Sequence, residues 1–376
     1  MNIDYEIKNQ WYHLKDIDTT DSPVLVVYLE RILENISTLI SIIDDVDRLR
    51  PHVKTHKTKE ATELLMDAGI NKFKCATIAE AEMLGIVAAP DVLLAYQPTV
   101  PKMKRFVELI KKYPATKFSC LVDNIFSAKN IADMAAENNI SIPVYIDLNV
   151  GMNRTGISAG DEAIEFYKSC KNLNGIAPVG LHVYDGHIRT TNFAQRTIEC
   201  DKAFEQVTAM QQVLIQEGFT EPIIIAGGSP TFPVHAKRKK IECSPGTFIF
   251  WDKGYRQSFE EQHFLTAALV ITRIISLPGK KKLCLDLGHK SIAAENDLNN
   301  RVYFLNAPEL KFISQSEEHL VVEAPEDHTY KVGDVLYGLP VHICPTVALY
   351  ESAFVIENNE TTTEWKIIAR DRKISL

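Results

Sequence analysis

The chain has no surplus of positive charge. Its 41 lysines and arginines are outnumbered by 49 aspartates and glutamates, for a formal net charge of -8. That balance argues against nucleic acid as a partner, since such a partner calls for a basic face. No apolar run approaches the roughly 20 residues that a bilayer-spanning helix needs, so no membrane partner is expected either. Met1–Tyr12 contains Asp4, Glu6 and Lys8 and no apolar core, so it does not read as a signal peptide. The seven cysteines, Cys75, Cys120, Cys170, Cys200, Cys243, Cys284 and Cys344, are scattered, and none forms a C-x-x-C pair. That usage suits free thiols in a reducing cytoplasm better than a disulfide framework. Short repeats and low-complexity tracts are missing. No dinucleotide fingerprint follows an early strand, and no Walker A motif occurs.

What is present is the pattern of an α/β fold. Eight strand-like apolar runs appear in the first two-thirds: Leu49–Val53, Lys72–Ala76, Val92–Ala95, Lys117–Val122, Ile142–Leu148, Val179–Val183, Pro222–Ala226 and Ile241–Cys243. Amphipathic stretches such as Lys102–Lys112, Phe126–Asn138, Asp161–Ser169 and Asn192–Gln216 fit between them. Strands alternating with helices predict a parallel sheet, and at this length a closed (β/α)8 barrel of the TIM type. An open doubly wound sheet is the second choice. A further apolar run, Val24–Tyr28, reads as a lead-in to the barrel. Beyond about residue 260 short alternating runs take over, punctuated by Pro278-Gly279 and Gly333-Asp334. They predict a second, mostly antiparallel β domain. The expected limits are 18–260 for the barrel and 261–376 for the β domain, the latter joined by residues 1–17.

Arg50-Pro51-His52-Val53-Lys54-Thr55-His56-Lys57 places a lysine between two histidines, at the end of a strand-like run. Helical signals follow at Thr58, Glu60, Ala61 and Leu64-Leu65. Parallel α/β folds put their chemistry at such strand ends. Neighbouring cations and partial burial favour the unprotonated, nucleophilic form of a lysine. The plain alternative is a solvated basic turn. Gly227-Gly228-Ser229-Pro230-Thr231 and Pro245-Gly246-Thr247 follow the seventh and eighth strands, where barrels commonly bind phosphate through backbone N–H groups. Either could also be an ordinary βα turn. Arg154, at the strand end Asp147–Gly156, offers a permanent fork of donors for an oxyanion, or for a neighbouring carboxylate. Tyr184 and His187 end the next strand in Tyr184-Asp185-Gly186-His187. Either ring could flank a cofactor, although Asp185-Gly186 is also a plain turn signal. On an extended strand His342 and Cys344 would share one face, an imidazole beside a thiolate, which suits a divalent metal with open positions. A packed histidine next to a buried cysteine is the plain alternative.

The runs RPHVKTHKT, VGMNRTG, YDGH, GGSPT, SPGTFIFWD and HICPTVALY occur in an order that resembles the D-threonine aldolase and D-serine dehydratase family. Those are pyridoxal-phosphate enzymes of the alanine-racemase-like fold. The resemblance runs from about residue 20 to the C-terminus. It implies that Lys54 carries pyridoxal 5'-phosphate on the first barrel strand, with His52 as an accompanying catalytic group. It further implies that Arg154 holds the ring oxygen, with Tyr184 and His187 nearby, and that Gly227, Gly228, Ser229, Thr231, Gly246 and Thr247 bind the phosphate. His342 and Cys344 become ligands for zinc or manganese. The implied function is a lyase acting on β-hydroxy D-amino acids. D-threonine aldolase is preferred, giving glycine and an aldehyde, and D-serine dehydratase, giving pyruvate and ammonia, is the alternative. A homodimer is expected. A racemase needs no metal pair, and a single-barrel cofactor carrier would have no C-terminal β domain, so both fit this chain less well.

Overall fold

The computed structural model describes residues 10–376. The described chain divides into two compact units that do not follow simple linear ranges. One comprises Leu39–Lys54, Lys59–Gly246 and Asp371–Leu376. The other comprises the described residues up to Thr38, with Thr55–Thr58 and Thr247–Arg370.

The first unit is a parallel barrel. Lys72–Cys75, Asp91–Leu94, Lys117–Val122, Ile142–Asn149, Ile176–Val183, Ile223–Ala226 and Ile241–Cys243 pair in that order, every pair parallel. Leu49–Val53 closes the ring, although it forms no regular ladder. Pro51 has no N–H to donate, so pairing survives only as two isolated bridges, Leu49 to Cys243 and His52 to Lys74. The hydrogen bonds still run to both neighbours. Arg50 and His52 donate to the carbonyls of Cys243 and Pro245 at 2.8 and 3.0 Å, and Val53 donates to Lys74 at 2.9 Å. The Lys74 N–H returns a bond to the Pro51 carbonyl at 2.8 Å. All eight expected strand segments are therefore in the barrel wall. Their central residues, including Phe73, Leu93, Val144, Leu181 and Ile225, are fully or almost fully buried.

Side-chain caps open several of the connecting helices. The Thr77 hydroxyl accepts from Glu80 N at 3.1 Å, and the Asn124 carbonyl oxygen accepts from Ser127 N at 2.9 Å. Helices Ile78–Ile86, Val100–Lys112, Ile125–Glu137, Asp161–Lys171 and Phe193–Gln216 alternate with the strands.

The second unit is built on a nine-stranded sheet, mostly antiparallel. Val24–Tyr28 belongs here. It pairs antiparallel with Ala268–Gly279 and parallel with Ser352–Glu357. It is thus a central strand of this sheet and not a barrel lead-in, because its apolar residues complete this unit's core. Val26 and Tyr28 pack with Leu269, Ile271 and Leu339, and Tyr12 and Leu14 join them. The sequence reading missed two short strands, Val302–Phe304 and Lys311–Gln315. The second of these is largely exposed and carries little apolar alternation.

Candidate active site

In the barrel unit His52, Lys54, Arg154 and Tyr184 line one cavity of about 620 Å³. Each sits at the C-terminal end of a strand or just beyond it. His52 is near the end of Leu49–Val53 and Lys54 follows it, Arg154 lies in the loop after Ile142–Asn149, and Tyr184 follows Ile176–Val183. The ring nitrogen Nδ1 of His52 accepts from the Lys54 backbone N–H at 3.2 Å, which fixes the turn that presents the lysine. The Arg154 guanidinium lies 4.8 Å from the Tyr184 ring centroid, in cation–π range.

The same cavity contains groups that the sequence reading did not single out. Lys74, His182, Gln97 and Asp123 line it. Lys74 Nζ is 3.2 Å from His182 Nε2, and His182 Nδ1 is 2.7 Å from Asp147 Oδ1. Gln97 Nε2 donates to Asp147 at 2.8 Å and to Asp123 at 2.9 Å. Burial alone would raise the Asp147 carboxyl. The hydrogen bond and charge of His182, with bonds from Thr155 and Gln97, outweigh burial and hold it below its usual range. His182 is pushed down by burial and by Lys74, which favours the neutral ring. The signal that could have found these residues is a charged or polar side chain in the middle of a barrel strand. Lys74 in Lys72–Cys75, Asp147 in Ile142–Asn149 and His182 in Ile176–Val183 are all of this kind.

The glycine-rich turn is shaped for close approach. Gly227 has φ of +76°, and a Cβ there would lie 2.7 Å from the His235 ring and 2.8 Å from Thr231 Oγ1. At Gly228 a Cβ would come within 3.2 Å of Tyr184. Ser229 Oγ accepts from the Gly246 N–H at 3.1 Å, joining the two expected phosphate turns. The buried Ser244 hydroxyl, two residues before Gly246, has no hydrogen-bond partner among the described residues. Thr231 donates to Asp185 at 2.7 Å, and Asp185 also holds His235 Nε2 at 2.8 Å. Asp185, read as a turn signal, is therefore the buried anchor of this loop. His235 pulls its carboxyl down against the upward push of burial.

Asp185, Cys200 and His235 together could hold a metal ion, since their candidate ligand atoms lie within 4.8 Å of one another. Those atoms also form an internal network. Arg238 Nη1 lies 2.6 Å from His235 Nδ1 and 3.6 Å from Cys200 Sγ. Burial pushes the Cys200 thiol up to about 12.

His187 is not brought to the Lys54 cavity. It is exposed and lines a different hollow with Gly151, Asn153 and Glu199. Its Nε2 would be 2.6 Å from a Cβ at Gly151.

Thr247 opens the short turn Thr247–Ile249 of the β unit. His342 and Cys344 are also in that unit, but not on a strand. The strand Val335–Pro340 has ended, and His342 is the residue before the helical turn Ile343–Val347. The two side chains meet because the chain turns there, and strand alternation plays no part. Burial would lower the His342 ring, but its hydrogen bond to Cys344, together with Glu295, raises it to about 9. Glu295 Oε1 is 2.5 Å from His342 Nδ1, a carboxylate orienting an imidazole as in many metal centres. Thr55 Oγ1 is 3.3 Å from Cys344 Sγ.

A barrel carrying a lysine at its first strand end, together with a mostly antiparallel β unit, defines an alanine-racemase-like protein. The chain belongs to the family of the alanine racemase N-terminal domain, whose model matches residues 27–253. A second model, described as a putative serine dehydratase domain, matches residues 267–356. The chain is 25% identical to a D-threonine aldolase of Arthrobacter sp over 358 residues, covering 93% of each protein. It is 24% identical to a 3-hydroxy-D-aspartate aldolase of Paracoccus denitrificans, over 86% of this chain and 85% of that one. A D-threo-3-hydroxyaspartate dehydratase of Delftia sp. is 22% identical over 93% of this chain and 97% of its own length. Among solved structures, the D-threonine aldolase of Filomicrobium marinum superposes with a TM-score of 0.86 at 21% identity, over 94% of this chain and 96% of that one.

Proposed function

We propose that this protein is a pyridoxal-phosphate and divalent-metal dependent lyase of β-hydroxy D-amino acids, with D-threonine aldolase as the leading reading. The observation that carries it is the single cavity shared by Lys54, Arg154 and Tyr184 at the strand ends of the barrel. The proposed cofactor-binding domain is the barrel unit, Leu39–Lys54 with Lys59–Gly246, in place of the 18–260 expected from the sequence. The residues present suit an anionic cofactor. Lys54 and Arg154 put cationic side chains on the cavity wall. In this reading Lys54 carries the cofactor through its amine, with His52 holding the Lys54 turn and acting beside it. Arg154 holds the ring oxygen and Tyr184 flanks the ring, while the turns at Gly227, Gly228, Ser229, Thr231, Gly246 and Thr247 hold the phosphate. His187 takes no part in holding the ring. The cofactor supplies an electron sink for a bond broken at the substrate Cα. A zinc or manganese ion on His342 and Cys344 supplies Lewis-acid polarisation of a hydroxyl, with Glu295 orienting His342. The working assembly is a homodimer, the commonest symmetric form, and its setting is the cytoplasm.

Dehydration is the second reading. It is favoured by the match of residues 267–356 to the putative serine dehydratase model and by the Delftia dehydratase relative. The test uses the purified protein loaded with pyridoxal phosphate and zinc or manganese, offered D-threonine and D-serine. Glycine with an aldehyde supports the aldolase, and pyruvate with ammonia from D-serine supports the dehydratase. Borohydride should fix the cofactor to the peptide containing Lys54, and Lys54→Ala should lose the visible band. Label on Lys57, or no turnover of either substrate, overturns the assignment.

A further inference from the structure

Lys74 is 3% exposed, yet it forms no ion pair among the described residues. A buried ammonium is costly unless a carboxylate accompanies it. Asp147, whose charge acts on Lys74, is instead bonded to His182 Nδ1. That bond places the ring proton on Nδ1 and leaves Nε2 to accept a hydrogen from Lys74 Nζ at 3.2 Å. Asp147 is in turn held by Gln97, so the series is fixed from behind. The bridge of His52 to Lys74 puts this lysine on the strand next to the turn that presents Lys54, and both lysines line the same cavity. The Tyr184 ring also faces the amine, its centroid 5.6 Å from Lys74 Nζ.

We propose that Lys74 is a second catalytic amine of the Lys54 cavity, oriented by His182 and Asp147, and that it exchanges a proton with the substrate's β-hydroxyl. This rests on the lyase reading above and adds to it the identity of the proton-transfer group. In carbon–carbon cleavage the O–H bond breaks and its proton passes to Lys74 Nζ. The O–H pair becomes the second carbon–oxygen bond of the aldehyde. The Cα–Cβ pair stays on Cα, which then takes a proton from solvent, and Lys74 returns its own proton to solvent. The charges around the amine suit this role. Burial and the Lys54 cation lower Lys74, Asp147 and Asp185 oppose them, Arg50 adds a little, and the balance is about 7. The His182 ring, held toward its neutral form, and the side chains of Arg154, His52, Asp123 and Tyr184 are the other charged and titratable groups lining this cavity.

The test uses the cofactor-loaded protein, wild type, Lys74→Met and Lys74→Arg. The visible band and the far-ultraviolet spectrum report cofactor attachment and folding. In the wild type kcat/KM should rise with pH as Lys74 loses its proton. Lys74→Met should keep the Lys54 band and lose at least ~100-fold in kcat, the usual scale of a general base, along with that pH limb. Lys74→Arg should be as impaired, because a guanidinium keeps the charge but does not give up its proton. Independently of any cofactor, competitive labelling with acetic anhydride and mass spectrometry gives the protonation midpoint of Lys74 in the cofactor-free chain. That midpoint should be near neutrality. The proposal is overturned if Lys74→Met keeps kcat within about threefold with an unchanged limb, or if the midpoint is near the ordinary lysine value of about 10.4. If the cofactor fails to attach to Lys54, the lyase reading fails, and the labelling midpoint still decides whether Lys74 is a neutral amine.

Discussion

Arg50→Met should destabilise the barrel unit strongly. The Arg50 side chain is 1% exposed and bonds Glu242 Oε2 at 2.7 Å and Asp91 Oδ1 at 2.6 Å. Methionine fills much of the same volume, so the loss is electrostatic and leaves no cavity. Removing one partner of a buried pair costs about 3–5 kcal/mol, because the remaining charge stays buried. Two features set the expectation at the low end. Asp91 is 23% exposed and can hydrate, and Glu242 retains Lys72 at 2.6 Å. The expected loss is therefore about 3 kcal/mol. The reader of choice is far-ultraviolet circular dichroism in a urea titration, since the three tryptophans, Trp11, Trp251 and Trp365, all lie in the β unit. With an m-value of about 3 kcal/mol/M, the midpoint should fall by roughly 1 M. Arg50→Met with Glu242→Gln should recover part of the loss, because it removes the orphaned charge. A midpoint shift worth less than about 1 kcal/mol would refute the reasoning and show that Lys72 alone satisfies Glu242.

Two further outcomes are expected. Cys344→Ala should lower the bound zinc or manganese per chain, measured by elemental analysis after dialysis, and leave the Lys54 band and the folded spectrum intact. Full metal retention would return the His342–Cys344 contact to a packing role. Acid should destabilise the β unit through His56, whose ring is held down to about 3 by burial, then by Lys57, against a bond from Thr58. The unfolded ring takes a proton below about 6.5 and the folded one does not, so this contribution falls by about 1.4 kcal/mol per pH unit as pH drops from 6.5 toward 3. His56→Asn should flatten the fall in tryptophan-monitored stability between neutrality and pH ~5, and an unchanged slope counts against it.

The sequence by itself determined the two-part architecture and the order of the barrel strands. Alternation and apolar runs are local, and they mark Lys72–Cys75, Ile142–Asn149 and Ile223–Ala226 without any knowledge of partners. The position of Lys54 was legible for the same reason, because a strand followed at once by helical signals puts it at a strand end. Pairing and meeting were decided only by the tertiary structure. Val24–Tyr28 has the same apolar character as a barrel strand, and only its partners Ala268–Gly279 and Ser352–Glu357 assign it to the other sheet. His342 looked like a strand residue until the chain turned at Ile343–Val347, since a short helix leaves little periodicity to read. Lys74, Asp147 and His182 are far apart in sequence and lie on three different strands, and their contact exists only once the barrel closes. Closure in turn depends on long-range hydrogen bonds across Pro51, which no local pattern encodes.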